Sequence, residues 1–377
     1  MPSPTVPYQI EDRRQPGLDT LRTLAILLVF LFHYRIFAHP KWIDAAGSFG
    51  WTGVDLFFVL SGYLIAGQLF RQVKSSGSVS LGNFYVKRIF RILPAYLTVV
   101  AIYFCVPPFR EREALAPLWK YLTFTQNFGL DLRTNGTFSH AWSLCIEEQF
   151  YLLLPFIITA LVALRWGRSS GWLIGFLFLA GFAARIYSWQ HFLQPILEAD
   201  DFGISWYKWI YYPTYNRLDG LLVGITVAGL TTFYPRARNA IMQRGSIFLT
   251  VALALIGLAC YICLDAQSYV ASVFGFPLVA IAYGCLLCAA ISPSCALGRF
   301  RSRVISGVAI LSYALYLTHK GLIHLTLIWF TGLGVEKDTT LMFLLSLIMC
   351  LIGAILIRYV VEKPFLWLKN KVLTHTE

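Results

Sequence analysis

The chain has 377 residues, of which 57% are hydrophobic and only 13% charged, where a soluble domain carries roughly 25% charged residues. Long apolar runs recur along it, which excludes a soluble enzyme held by one anchor and calls for several membrane spans. The formal net charge of +12 reads as loop charge beside those spans; no stretch carries a nucleic-acid module, and no nucleic acid is expected as a partner.

In chain order, a polar, proline-containing lead with Glu11, Asp12, Arg13 and Arg14 precedes the first apolar run. No small-residue cleavage site follows closely, so the first helix is expected to stay in place rather than leave as a signal peptide. Ten apolar segments long enough to cross follow, at 21–38, 51–70, 94–109, 142–163, 171–190, 210–232, 245–264, 269–290, 304–330 and 340–359. The third is short. The stretch 119–130 is shorter still and reads as re-entrant or interfacial. The expected fold class is an all-α polytopic membrane protein, about ten transmembrane helices in one bundle. With the N terminus in the cytoplasm, eighteen Lys and Arg fall in inside segments and seven in outside ones, the bias the positive-inside rule requires. Both termini are then cytoplasmic: a tail to residue 17 and another over 367–377, around a membrane domain of residues 18–366. No soluble accessory domain is expected. No internal repeat shows, which argues against the repeat-built transporter plan.

The first span carries Arg22 and His33 eleven residues apart, about three helical turns, so the two share a face. Asp19 stands three residues before Arg22, in reach of it. Ionisable groups inside such a helix are rare and costly; His33 either bonds a neighbouring helix or works as a base. The second span has Asp55 near its outer end and a small-residue stripe at Ser61, Gly62 and Gly67 that allows close helix approach. After it, Lys87, Arg88 and Arg91 lie on an amphipathic segment read as ending at Pro94, with Ile89, Ile92 and Leu93 toward lipid. These arginines either bind anionic headgroups or clamp a phosphate. In the fourth span Ser143 and Glu147 share a face and Glu148 points elsewhere. Arg217 and Asp219 sit in the sixth, as structural ion-pair members or as catalytic groups. His319, Lys320 and His324 lie mid-depth in the ninth. Of eight cysteines, Cys260 with Cys263 and Cys285 with Cys288 form CxxC pairs in or beside apolar runs; they read as small buried hydrophobes, and no metal is expected. The polar set His33, Asp55, Glu147, Arg217, Asp219 and His319 suits proton-coupled transport or base chemistry on a polar substrate.

Seven motifs, in order, carry a resemblance: LDTLRTLAILLVFLFH, FFVLSGYLI, KRIFRILPAY, WSLCIEEQFYLLLP, YNRLDGLLVG, SYALYLTHK and VEKPF. Together they resemble the membrane-bound acyltransferase-3 family over residues 18 to about 366. The resemblance implies a ten-span protein of the inner or plasma membrane that passes an acyl group, commonly acetyl, from cytoplasmic acyl-CoA to a hydroxyl of a carbohydrate or glycosylated small molecule. The family's Arg-x10-His element falls on Arg22 and His33, its RxxR element on Arg88 and Arg91, and its Ser-x3-Glu element on Ser143 and Glu147. The chain departs from the family in having Lys320 and Gly321 after His319, where His-x-Pro is commoner, Cys145 where serine is common, and Thr20 where glycine is usual.

The mechanism this implies has neutral His33 taking the acceptor's proton as it attacks the thioester, with Glu147 orienting the acceptor or supporting the imidazolium. Arg88 and Arg91 bind the phosphates of acetyl-CoA or another acyl-CoA, and Arg22 guides the pantetheine arm. Asp55, Arg217, Asp219 and His319 support the site or the acceptor. Direct transfer and an acyl-His33 intermediate both fit. Membrane lipids and glycan-assembly proteins are the further expected partners. The alternative is a proton-coupled secondary transporter of a polar metabolite or glycan precursor, which would not need the cytoplasmic arginine pair.

Overall fold

The computed structural model describes residues 15–165 and 167–374, the side chain of Arg168 excepted. Arg13 and Arg14, counted in the charge bias, lie outside the described residues. Helices form in every one of the ten apolar segments: α1 (Pro16–Tyr34), α2 (Gly53–Ser76), α3 (Leu81–Cys105), α4 (Trp142–Ala163), α5 (Gly171–Ser188), α6 (Asp219–Phe233), α7 (Gly245–Ile262), α8 (Phe276–Ile291), α9 (Arg303–Gly332) and α10 (Thr340–Leu356). A last helix, α11 (Lys363–Thr374), occupies the expected C-terminal tail as far as Thr374. No strand occurs among the described residues.

Eight helical stretches are long and apolar enough to cross a membrane. The protein is therefore an all-α multi-pass membrane protein. Two of the ten expected spans are not among the eight. α6 has only 15 residues, because Pro213 and the turn through Thr214–Asn216 break the helix before Asp219. α9 has 30 residues, but Thr318, His319, Lys320 and His324 dilute its apolar character at mid-length. Burial separates centre from rim. The most apolar window of Ala271–Ile291 is 72% buried, whereas those of Gly171–Ile196 and Gly245–Ile262 are each 17% buried. Large apolar side chains of the rim, among them Trp172, Phe176, Ile247 and Leu253, turn outward, the surface that lipid rather than water must cover.

The tightest seam joins α2 to α6. A Cβ on Gly62 would stand 2.3 Å from the carbonyl oxygen of Leu221, and one on Gly224 2.3 Å from that of Val59. Only glycine lets the two backbones meet, the device by which helices associate where burial from water drives nothing. Gly67, the other glycine of the stripe, has no such close neighbour, and Ser61 Oγ instead lies 3.0 Å from the Tyr151 hydroxyl.

The expected third span at 94–109 is replaced by α3, which starts at Leu81 and runs through Pro94 to Cys105. An interior proline removes one backbone bond and often kinks a helix, but it need not end one. The charges before it are not set against lipid, because Arg88 and Arg91 face a cavity. Ile92 lines the same cavity and is buried, and only Ile89 of the expected lipid-facing trio is broadly exposed. The segment 119–130 begins as a short helix, Leu118–Leu122, and then folds into the protein. Gln126 and Asn127 are fully buried, Gln149 donates to the Phe124 carbonyl at 2.8 Å, and Asn127 donates to the Thr214 hydroxyl at 2.8 Å. Irregular backbone away from water survives where protein groups satisfy it in this way.

Candidate active site

Two cavities lie toward opposite ends of α1. The first, about 310 Å³, is lined by Arg22, by Ser61, Gln68 and Arg71 of α2, by Arg88, Arg91 and Ile92 of α3, by Ser143, Glu147, Glu148 and Tyr151 of α4, and by Ser312, Tyr313 and Tyr316 of α9. The second, about 300 Å³, is lined by Phe32, His33, Arg35 and Ile36, by Arg112, Ser139, His140 and Trp142, by Tyr207, Tyr211 and Tyr212, and by Asp44, Leu132 and Lys320. Arg22 and His33 thus mark the two ends of one helix face, separated by about 16 Å of rise.

His33 is held by a chain of imidazoles. His319 Nδ1 lies 2.9 Å from the Tyr316 carbonyl and 3.1 Å from that of Leu315. Both are acceptors, so Nδ1 carries the hydrogen and Nε2 of a neutral His319 carries the lone pair. His33 Nδ1 stands 2.8 Å from that Nε2 and therefore donates to it. The lone pair of neutral His33 is left on Nε2. The rings of His33 and His319 stack at 4.9 Å between centres, with His140 4.8 Å from His319 and 5.7 Å from His33. Lys320 is buried beside them, paired with Glu111 at 2.8 Å, and donates to Ser139 Oγ at 3.2 Å.

Tyr316 stands in the wall between the cavities. Its hydroxyl donates to the His140 carbonyl at 2.6 Å and lies 2.5 Å from Ser143 Oγ. With the tyrosine proton so engaged, Ser143 is the donor of that pair. In the first cavity Tyr151 donates to Glu147 Oε2 at 2.8 Å, and Arg88 donates to Gln68 Oε1 at 3.1 Å while lying over the rings of Phe84 and Tyr151. Arg22 pairs with Asp19 at 3.3 Å, and Asp19 also accepts from the Ser306 hydroxyl.

Asp55 of α2 and Asp219 of α6, with Arg217 in the turn before α6 and Arg185 of α5, form a separate core. Arg217 donates to both oxygens of Asp55, at 2.9 and 3.0 Å, and its guanidinium lies over Phe276, Tyr211 and Trp142 at 3.9, 4.6 and 5.4 Å from the ring centres. Asp219 pairs with Arg185 at 2.6 Å. None of these four residues lines either cavity; through Trp142 and Tyr211 they brace the second cavity's wall.

The residues picked from the sequence therefore divide in two. Arg22, Arg88, Arg91, Ser143 and Glu147 meet in the first cavity, joined by Glu148, which the helical spacing pointed elsewhere. His33 and Lys320 face the second, with His319 behind His33; Glu147 does not touch His33. His140, Arg71 and Arg185 join the residues picked from the sequence. Arg185, an arginine inside an apolar run, carried its own signal; His140 acquires its place only by meeting residues far along the chain. All eight cysteines are free. Among the described residues no group of three or more His, Cys, Asp or Glu is arranged to hold a metal ion.

A family model described as an acyltransferase domain, that of acyltransferase-3, matches residues 15–359. The chain belongs to this acyltransferase family. The peptidoglycan O-acetyltransferase OatA of Listeria monocytogenes serovar 1/2a (strain ATCC BAA-679 / EGD-e) is 28% identical over 333 residues, 82% of this chain and 50% of that protein. The O-acetyltransferase OatA of Staphylococcus aureus (strain NCTC 8325 / PS 47) is 27% identical over 336 residues, 82% of this chain and 51% of that protein. The chain spans about half the length of the curated relatives it matches. No solved structure matches it.

Within the acyltransferase family's ninth-span motif, the departure at residues 320 and 321 has a local reason. A Cβ on Gly321 would stand 2.3 Å from Cε1 of Phe109, so a proline there would collide with the ring. Lys320 needs the buried Glu111 opposite, since an unpaired charge at that depth is costly.

Proposed function

We propose that this protein transfers an acyl group, acetyl in the first instance, from acyl-CoA in the first cavity to a hydroxyl of a carbohydrate or glycosylated acceptor in the second, with His33 as general base. The peptidoglycan named for the Listeria relative is one acceptor of this class. The observation that carries the reading is the bond from His33 Nδ1 to His319, which leaves Nε2 with the lone pair a base requires. The proposed topology has ten spans, α6 and α9 completing the eight, over a membrane domain of residues 18–366. Both termini are cytoplasmic, so the first cavity opens to the acyl-CoA side.

The acceptor hydroxyl gives its proton to His33 Nε2 as its oxygen attacks the thioester carbonyl. The tetrahedral adduct expels the thiolate of CoA, and His33 returns the proton to that sulfur. Ester and free thiol result, and the base is regenerated. His319 keeps the imidazole in this tautomer. Ser143 turns its proton from Tyr316 toward the developing oxyanion, where a positioned donor contributes most. Arg88, Arg91, Arg22 and Arg71 bind the phosphates, their planar forks suited to bidentate contacts. Glu147 and Glu148 flank the passage of the pantetheine arm. Asp55, Arg217 and Asp219 hold the acceptor wall in shape.

His33→Ala in purified protein should lower acetyl-CoA-dependent transfer about 10²–10⁴-fold, the usual contribution of a base, with the folded protein still recovered from the membrane. CoA release is the readout. Near-normal turnover would make His33 structural, and a wild type that leaves acetyl-CoA intact while moving a solute would favour the transporter.

A further inference from the structure

The cluster around His33 holds a second imidazole with an unused lone pair. His140 is 2% exposed and lines the second cavity. Its Nε2 lies 3.4 Å from the Leu317 carbonyl, an acceptor, so Nε2 carries the hydrogen. Its Nδ1 is then an acceptor, and that atom is buried with no hydrogen-bond partner among the described residues. Buried polar atoms without partners are rare. Leaving one unmatched costs more than a hydrogen bond returns, so an orphan on a residue that lines a cavity points to a ligand's donor there.

Its neighbours narrow the role. The backbone of His140 is fixed, since its carbonyl accepts the Tyr316 proton. Its ring stands edge-on to those of Phe138 and His319, which leaves little rotational freedom. The ring centres of His33 and His140 are 5.7 Å apart. Hydrogen bonds of ordinary length, roughly 2.7–3.2 Å, let adjacent groups of one small ring reach both nitrogens. Trp142, Tyr207, Tyr211 and Tyr212 in the same cavity offer flat faces against which a sugar ring can lie.

Resting on the acyl-transfer reading above, we propose that His140 is a positioning residue for the acceptor. Its Nδ1 accepts a hydrogen bond from a second donor, a hydroxyl or amide N–H adjoining the hydroxyl that His33 deprotonates. The substrate class is thereby narrowed to acceptors with two neighbouring hydrogen-bond donors, such as a vicinal diol or a hydroxyl beside an acylamino group.

The test uses the full chain purified in detergent, with acetyl-CoA as donor. Methyl β-glucopyranoside and its monodeoxy derivatives serve as acceptors, with CoA release and acetylated sugar measured. The wild type should lose about tenfold or more in kcat/KM for a derivative lacking the hydroxyl beside the acetylated one. His140→Phe should raise KM for the parent glucoside about 3–10-fold, with a smaller fall in kcat, and abolish that preference. His140→Asn, whose Oδ1 stands near the place of Nδ1, should recover most of it. A preference retained in His140→Phe overturns the proposal. So does a collapse of kcat as deep as that of His33→Ala with KM unmoved, which would make His140 chemical or structural. A wild type that acetylates none of these sugars counts against the acyl-transfer reading itself. His140 is then judged by ethoxycarbonylation with diethyl pyrocarbonate, read by mass spectrometry: protection by the parent glucoside and not by a deoxy derivative supports its role, and equal labelling throughout overturns it.

Discussion

An imidazole acts as a base only through the nitrogen that holds its lone pair, and at His33 that nitrogen is chosen by a residue 286 positions away. Under the proposed function His319 matters less as a second base than as the group that decides which way His33 presents itself, a tautomer-setting role of the kind that orients catalytic histidines. The arginines of the first cavity act through geometry in the same way. Arg88 lies over two rings and is bonded to Gln68, so under the proposed function its fork is aimed before any phosphate arrives. Arg88→Gln and Arg91→Gln should each raise the apparent KM for acetyl-CoA about tenfold or more, since a charge-assisted bond contributes roughly 1.5–3 kcal/mol. Lysine should rescue only in part. Paired donor and acceptor titrations check this; an unchanged donor KM with protein lost from the membrane would assign the arginines to lipid headgroups. These site residues were legible in the sequence because charge in an apolar helix has a cost that only function or pairing offsets. His140 was not, since a single histidine at the head of a span has many uses, and its orphaned Nδ1 exists only once residues 138, 317 and 319 surround it.

At the level of the helix, the seam between α2 and α6 shows how lipid changes the rules. With no water to escape, the two helices are held by backbone contact at Gly62 and Gly224 and by the ion pair from Asp55 to Arg217. Gly62→Leu should force the helices apart, at a cost of about 1–3 kcal/mol or more, and lower the melting temperature in detergent. Gly257→Ala on α7, where an added Cβ meets nothing within 4 Å, should leave it unchanged; equal behaviour of the two would remove the seam from the account. Helix existence was readable throughout from apolar length, but helix ends were not. Pro94 read as a stop and is interior to α3, because the charges before it turn into a cavity that the linear sequence does not display. Asp219 begins α6 rather than lying inside a longer helix, because Pro213 and the demands of Arg185 and Arg217 set the break.

Over the whole molecule, the open question of crossing number rests on α6 and α9. A helix of 15 residues rises only about 22 Å, against a hydrocarbon core of about 30 Å. In the proposed ten-span topology the π-helical segment Tyr207–Tyr211 and the turn Thr214–Asn216 make up the remaining depth. In a cysteine-free background, Lys41→Cys, Asp265→Cys and Lys337→Cys should label from outside intact cells, and Arg238→Cys and Arg301→Cys should not. External labelling at 238 would mean α6 turns back, and the donor side would have to be reassigned. Charge bias pointed to this arrangement without showing it, since loops on either face look alike once the helices are drawn. The wall at Tyr316 then has an energetic consequence. The acceptor's proton is taken on the outer side and leaves on the thiol of CoA on the inner side, while the acyl group moves outward as the equivalent of an acylium ion, its bonding electrons left on the sulfur. Under the proposed function the two movements cancel, so each turnover is electroneutral, the membrane potential neither drives nor opposes the acylation, and ester formation on the outer surface draws on the thioester alone.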